Sequence, residues 1–424
     1  MGIFVALVVV GVGVFSLFGG VGGNDSTGPV VIWGTIDQTS MDKIFTALSQ
    51  TDKSLQDVTY VYKKPATYQG ELINAIAAGA GPDLVLLSQS TIGTLQDKIT
   101  IVPYSTVSQS TYLASFVDEG QLFLTPQGSL ALPFVIDPLV MYWNRDTFTS
   151  VGESSAPQYW NDFIALAPKM TSLDAGGTVR RSAVAMGTWD NVTHAKAVLS
   201  ALMMQTGDFV TGRSAAGALT VTLGAKQDTT NVAPAAEALR FYTDFANPSK
   251  TTYSWNRSLP ASYNAFAAGD VAVYFGPASE YRSIAERNPN LRFAVAVMPQ
   301  LMGTSAKITS GSIQGLAVSR GARNPAGALV VAQKLTTAAA AAAVAGELGL
   351  PPVRRDVRTD TSASAASATF VQSALMARSW ADPNAAGTDS IFKAMVESVS
   401  SGRSTPEQAV FEASAAMRQL LPNL

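Results

Sequence analysis

Side chains able to grip a hydroxyl-rich solute recur in loops along this chain, while groups able to attack one are nearly absent. GTWDN (Gly187 to Asn191) sets Trp189 beside Asp190 and Asn191, and RSWADP (Arg378 to Pro383) sets Trp380 two residues before Asp382. Carboxylates and amides hydrogen-bond paired sugar hydroxyls, and an indole face stacks on the apolar side of a pyranose. Further polar loops follow short apolar runs: Thr35, Asp37 and Gln38; Ser88, Gln89 and Ser90; FGPASEY (Phe275 to Tyr281, with Gly276); and GSIQG (Gly311 to Gly315, with Gln314). Loops carry binding groups more often than the elements they join. The ligand-binding candidates these loops supply are Thr35, Asp37, Gln38, Gln89, Trp189, Asn191, Gly276, Gln314 and Trp380.

Composition excludes several other chemistries. The chain of 424 residues has no cysteine and one histidine, His194. Disulfides, thiolate zinc, Cys nucleophiles and multi-His metal centres are thereby removed. No nucleophile elbow accompanies His194, which is expected to be an ordinary helix residue. GAGPD (Gly79 to Asp83) lacks the Lys-Ser/Thr of a phosphate loop, and no G-x-G-x-x-G follows a strand. No cofactor and no metal are expected. With 29 Lys and Arg against 31 Asp and Glu, and no basic block, nucleic acid is excluded as a partner. A glycosidase would need two carboxylates in one cleft, and Asp37 with Asp137 would be the pair. Nothing nearby in the sequence would keep one of them protonated.

Asp137 stands in ALPFVIDPLVMYWNRDTF (Ala131 to Phe148), apolar except for this Asp-Pro pair until Asn144. Pro138 cannot donate to a ladder, so the stretch is expected to break there as a crossing, with Ala131 to Ile136 ending one body and Leu139 to Trp143 beginning the next; the alternative for Asp137 is a simple turn acid bonded by nearby backbone amides.

Around it, strands alternate with helices. Val30 to Trp33, Val58 to Lys64 and Asp83 to Leu87 are expected strands, with helices from about Ser40 and from Tyr68 to Ala78 between them. That order requires a parallel sheet covered on both faces. The grammar returns in helices at Trp160 to Ala167, Lys196 to Gln205 and Ala235 to Phe245, and in strands at Val271 to Phe275, Phe293 to Pro299 and Gly315 to Ser319. The alanine tract Thr336 to Gly349 is expected to be a packed helix. Met1 to Gly23 carries no charge and is long enough to span a bilayer, for which about 20 residues suffice. It is expected to be an uncleaved membrane anchor, with a cleaved signal as the alternative, and residues 24–29 are its linker.

LPFVIDPLVMYWNRDTF with APQYWNDFIALAPKMT (Ala156 to Thr171), AFAAGDVAVYFGPASE (Ala265 to Glu280), LRFAVAVMPQ (Leu291 to Gln300), GLAVSRGARNPAGALVVAQKL (Gly315 to Leu335) and IFKAMVESVSSGRSTPEQAVFEASAAMRQLL (Ile391 to Leu421) follow one another in a familiar order. Together they resemble the extracellular solute-binding proteins of ABC importers, in the maltose-binding-protein-like sugar-binding family. The resemblance implies an α/β, two-lobe periplasmic-binding-protein-like fold of type II, with the ligand cleft between lobes joined by hinge strands. It divides the chain into residues 30–136 with 305–355 and residues 137–304 with 356–424. It implies no enzyme but an extracytoplasmic, monomeric receptor that closes on a saccharide and delivers it to permease subunits. A tethered carbohydrate sensor or scaffold is the alternative. By resemblance Asp37 is a loop acid bonding sugar hydroxyls, Asp137 a cleft acid and Trp380 a stacking aromatic, which adds Asp137 to the ligand-binding candidates. Gln314 and Ala278 stand where relatives carry aromatics, which points away from maltose itself.

Overall fold

A computed structural model describes residues 27–225, 233–304, 306–358 and 365–421. The expected anchor, Met1 to Gly23, lies outside the described residues, as does most of its linker. Among the described residues no single helix is long and apolar enough to cross a membrane.

The first part alternates as its sequence requires: β1 (Val30–Gly34), α1 (Gln38–Thr51), β2 (Val58–Tyr62), α2 (Pro65–Ala77) and β3 (Leu84–Ser88). β1 pairs in parallel with both β2 and β3. β4 then runs without interruption from Leu132 to Asn144. It is followed by α3 (Trp160–Met170), β5 (Val179–Val184), α4 (Ala195–Gln205), α5 (Pro234–Asp244), β6 (Val271–Pro277) and β7 (Phe293–Ala296). The chain returns through β8 (Thr309–Ser319), then α6 (Pro325–Leu335) and α7 (Ala338–Leu348), the latter in the alanine tract. Three further helices close it: α8 (Ala365–Met376), α9 (Ala385–Ser400) and α10 (Pro406–Arg418). One sheet runs in the order β2-β1-β3-β8-β4-β6-β5.

β4 corrects the expectation of a break. Leu132 to Pro138 pair antiparallel with β8, the register ending at Gly311 opposite Pro138. Leu139 to Trp143 pair instead with β6, and Met141 to Asn144 with β7 on the other edge. The missing donor of Pro138 thus falls where the strand changes partners, and no turn is needed there. The Pro138 carbonyl is still used, accepting from Ala278 N at 3.0 Å.

The buried apolar side chains form two clusters that divide at the same point. One contains Val30, Leu86, Leu132, Phe134 and Ile136; the other contains Leu139, Met141, Trp160, Phe275 and Phe392. β4 and β8 are the strands that pass between them.

Candidate functional site

A cavity of about 660 Å³ opens where the two cores meet. Its walls come from the end of β3, the middle of β4, the start of β8, the first turn of α4 and the segment Ser379–Asp389. The carboxyl ends of parallel strands converge on such a crevice because the polar loops that leave them have nowhere to be buried.

One wall is aromatic. Trp380 is buried and stacks on Phe392 with centroids 5.9 Å apart and planes at 12°, while Trp189 leans on the same Phe392 at 6.4 Å. The Trp380 indole Nε1–H donates to Ser200 Oγ at 3.1 Å, which fixes the orientation of its ring. Lys196 Nζ stands 5.3 Å from that ring centroid.

Lys196 is anchored by acids. Its ammonium donates to Asp382 Oδ2 at 2.7 Å and Thr388 Oγ1 at 2.7 Å, and pairs with Asp389 at 2.8 Å. Asp382 is 4% exposed and also accepts from the Asn384 amide and the Thr388 hydroxyl. A buried carboxylate this fully bonded ties down the loop that carries it. Its backbone is bonded as well: the Asp382 amide donates to Gln89 O and the Gly93 amide donates to Asp382 O.

Asp137 and His194 also line the cavity. Asp137 Oδ1 accepts from the Ser279 amide at 3.1 Å and pairs with no cation. Burial pushes its carboxyl up to about 6, with the Glu280 charge adding to the rise and the Ser279 hydrogen bonds and His194 opposing it. His194 Nε2 lies 2.9 Å from Glu280 Oε1, and Tyr274 OH donates to the other Glu280 oxygen at 2.7 Å. Burial and that carboxylate hold the Tyr274 hydroxyl far above the usual tyrosine range. Gly276 makes this packing possible, because a Cβ there would lie 2.5 Å from Glu280 Oε2. Ser90, Thr193, Ser310, Ser312 and Ser379 complete the lining with small polar groups. Among the described residues no group of three or more His, Asp or Glu side chains is placed to hold a metal.

Of the ten sequence candidates, the structure brings Gln89, Asp137, Trp189 and Trp380 together in this cavity. Asn191 lies next to it, but its side chain is spent on scaffolding: its amide donates to Asn256 O and Leu259 O, and its oxygen accepts from Trp255 Nε1. Gly276 and Gln314 stand on strands beside the cavity without lining it. Thr35, Asp37 and Gln38 do not line it either. Asp37 is the N-cap of α1, accepting from Ser40 N at 2.8 Å, and that hydrogen bond lowers its carboxyl below the usual range. Gln38 clamps β2, accepting from Tyr62 N and donating to Tyr60 O. Asp37 and Asp137 therefore do not share this cavity, which removes the carboxylate pair a glycosidase would use.

Sequence reasoning missed Lys196, Asp389 and the role of His194. His194 is the residue before α4 rather than an interior helix position, and its ring faces the cavity. Asp382 was legible within RSWADP, and Ser312 within GSIQG.

A family model for the bacterial extracellular solute-binding proteins matches residues 34–342, well over half of the chain. The chain belongs to this family. No curated protein matches the sequence. The cyclo/maltodextrin-binding protein complexed with maltotetraose superposes with a TM-score of 0.74 at 17% identity, over 95% of this chain and 98% of that one. The cyclic alpha-maltosyl-1,6-maltose binding protein of Arthrobacter globiformis gives 0.75 at 16% identity, over 93% and 99%. UgpB from Mycobacterium tuberculosis, in complex with glycerophosphocholine, gives 0.70 at 17% identity, over 93% and 98%. At these identities the likeness establishes the α/β solute-binding fold. Membership of a family of binding proteins makes this chain a solute-binding protein.

Proposed function

We propose that this solute-binding protein captures a saccharide or related polyhydroxy solute outside the cell and hands it to the permease of an ABC importer. The observation that carries this reading is the cavity at the boundary of the two cores, with stacked Trp380 and a leaning Trp189 on one side. Lining it with them are carboxylates and small hydroxyls. An indole face matches the apolar face of a pyranose, and carboxylates accept from its hydroxyls. Proteins of similar structure are complexed with maltotetraose, tagatose, acarbose and mannotriose, which favours the same class here.

In this reading residues 30–136 with 305–355 form one lobe and residues 137–304 with 356–424 the other. β4 and β8 are the hinge strands, and closure sandwiches the solute between lobes. Asp137, at the change of partners on β4, hydrogen-bonds the solute from the hinge. Thr35, Asp37 and Gln38 belong to the rim that a closing motion brings nearer. Met1 to Gly23 holds the receptor at the outer face of the membrane, where it acts as a monomer.

The test is titration of the full chain with maltotetraose, mannotriose, tagatose and glycerophosphocholine, followed by thermal unfolding and product analysis. One-to-one binding of a saccharide without released products supports the reading, and loss of that binding in Asp137→Ala places Asp137 at the ligand. A panel in which no saccharide raises the melting temperature sinks it.

A further inference from the structure

Carboxylates on and beside the cavity walls outnumber the cations paired with them. Lys196 is shared by Asp382 and Asp389. Asp190 has its own partner, Lys393, at 2.6 Å. Asp137 has no cation, and Glu280 has only the His194 ring.

A second observation independent of that crowding lies directly behind the wall. Glu119, in the 3-10 segment Asp118–Phe123, is 2% exposed, and neither of its carboxyl oxygens has a hydrogen-bond partner among the described residues. The Ser379 hydroxyl lies beside it, close enough to favour the charged carboxyl but not placed to make a full hydrogen bond. The carboxyl group fills the space where Gly311 would carry a side chain, since a Cβ there would overlap Glu119 Oε2. Gly311 and Ser379 both line the cavity, so the carboxyl stands against its wall.

A buried, unbonded acid is costly, and folded proteins rarely keep one without a use. This chain shows how it satisfies a structural carboxylate: Asp83, also buried, accepts from the amides of Val31, Arg323 and Asn324. Glu119 has no such set. Its nearest formal cation, Arg378, is committed to Asp118, which also takes Arg355.

We infer that the cavity is built for a solute bearing a cationic amino group, an amine-carrying saccharide, whose ammonium is held by Asp137 with Glu119 behind it. The inference rests on the reading of this cavity as the saccharide site. An ammonium in the cavity donates to Asp137 and supplies the positive charge that Asp137, and Glu119 behind it, lack. Trp380, whose ring already has Lys196 close to it, offers its face to the sugar that carries the ammonium. An anionic solute would meet the same carboxylates as repulsion.

Charge makes the preference pH-dependent. The groups facing Asp137 are Glu280, His194, Glu119 and the Ser279 amide; those facing Glu119 are Arg378, Asp137 and Ser379. Protonating the two acids removes their attraction for a cation and leaves contacts to neutral hydroxyls largely intact.

The test uses the full chain and calorimetric titration with maltose and maltotriose. Each is compared with analogues in which one hydroxyl at a time is replaced by a primary amine or by the matching acetamide. At pH 7.5 at least one amine analogue is expected to bind on the order of tenfold more tightly than its parent and its acetamide, the scale of one added charge contact. The preference is expected to fall several-fold by pH 5, and to vanish in Asp137→Asn with Glu119→Gln. Should that double variant not fold, Glu119→Gln alone and the pH series on the unaltered chain give the same readout. Parent sugars binding as tightly as every amine analogue overturns the inference and leaves the saccharide reading standing. Failure of all of them to bind overturns the inference, and failure of the wider saccharide panel as well overturns the saccharide reading.

Discussion

Half-buried Lys196 and buried Glu119 are opposite cases of a charge at the cavity. Lys196 is bonded on three sides, and its removal strands Asp382 at 4% exposure without a cation. Lys196→Met is expected to cost roughly 3 kcal/mol, as breaking one side of a buried pair does. Urea unfolding at pH 7 measures it, and a loss below about 0.5 kcal/mol would mean that Asp382 finds water instead. For Glu119 burial pushes the carboxyl up to about 7, with the Ser379 hydroxyl and Arg378 opposing and the Asp137 charge adding. A folded-state value raised above the unfolded one means that the protonated form is the stable one. Stability from this group is full below about pH 4.5 and is lost as pH rises through 7. Glu119→Gln should therefore match the unaltered chain near pH 4 and exceed it by up to about 3 kcal/mol at pH 8. Chemical denaturation at the two pH values shows the difference; equal gains at both would mean that the folded protein lets the acid ionise freely.

At the scale of elements, β8 and the Asp118–Phe123 segment meet through Gly311, and the fit leaves no room for a methyl group. Gly311→Ala is expected to destabilise by about 1–3 kcal/mol, the usual cost of overpacking. Adding Glu119→Ala should recover most of it, a coupling that a double-mutant cycle isolates. Additive losses would place the strain elsewhere. Such contacts explain what was legible in the sequence. β1, β2 and β3 were readable because short β-branched or apolar runs separated by helical patterns admit few other structures. The polar loops that follow strands supplied Gln89, Trp189 and Trp380 for the cavity. Asp137-Pro138 was readable as the point where the chain crosses between bodies but not as the middle of one continuous strand that changes partners, because the partner of a strand lies far away in sequence. Asp37 carried a plain local signal, an Asp opening a helix, and the structure uses it that way. Glu119 and Lys196 were not legible: an acid in VDEGQLF and a lysine opening an apolar helix both read as solvated surface until tertiary packing buries them.

At the scale of the molecule, two hydrophobic cores are joined by the strands that cross between them and by the segment Ala365 to Ala381, which contributes to both, with the cavity at their junction. Each core is large enough to unfold as its own unit, so the coupling between them is set by β4, β8, that segment and whatever fills the cavity. A solute that touches both walls binds only when both are folded. At about one hundred times its dissociation constant it adds roughly 2.7 kcal/mol to the native state and charges that free energy against the unfolding of either core. Differential scanning calorimetry should then show a broad or split transition for the free protein, and a sharper one at higher temperature with saturating solute. Small-angle scattering on the same samples should show a smaller radius of gyration when bound, as closure about the crossing strands requires. A solute that raises the melting temperature while leaving both the width of the transition and the radius unchanged would be bound by one wall alone, and β4 and β8 would then be braces between two bodies and not a hinge.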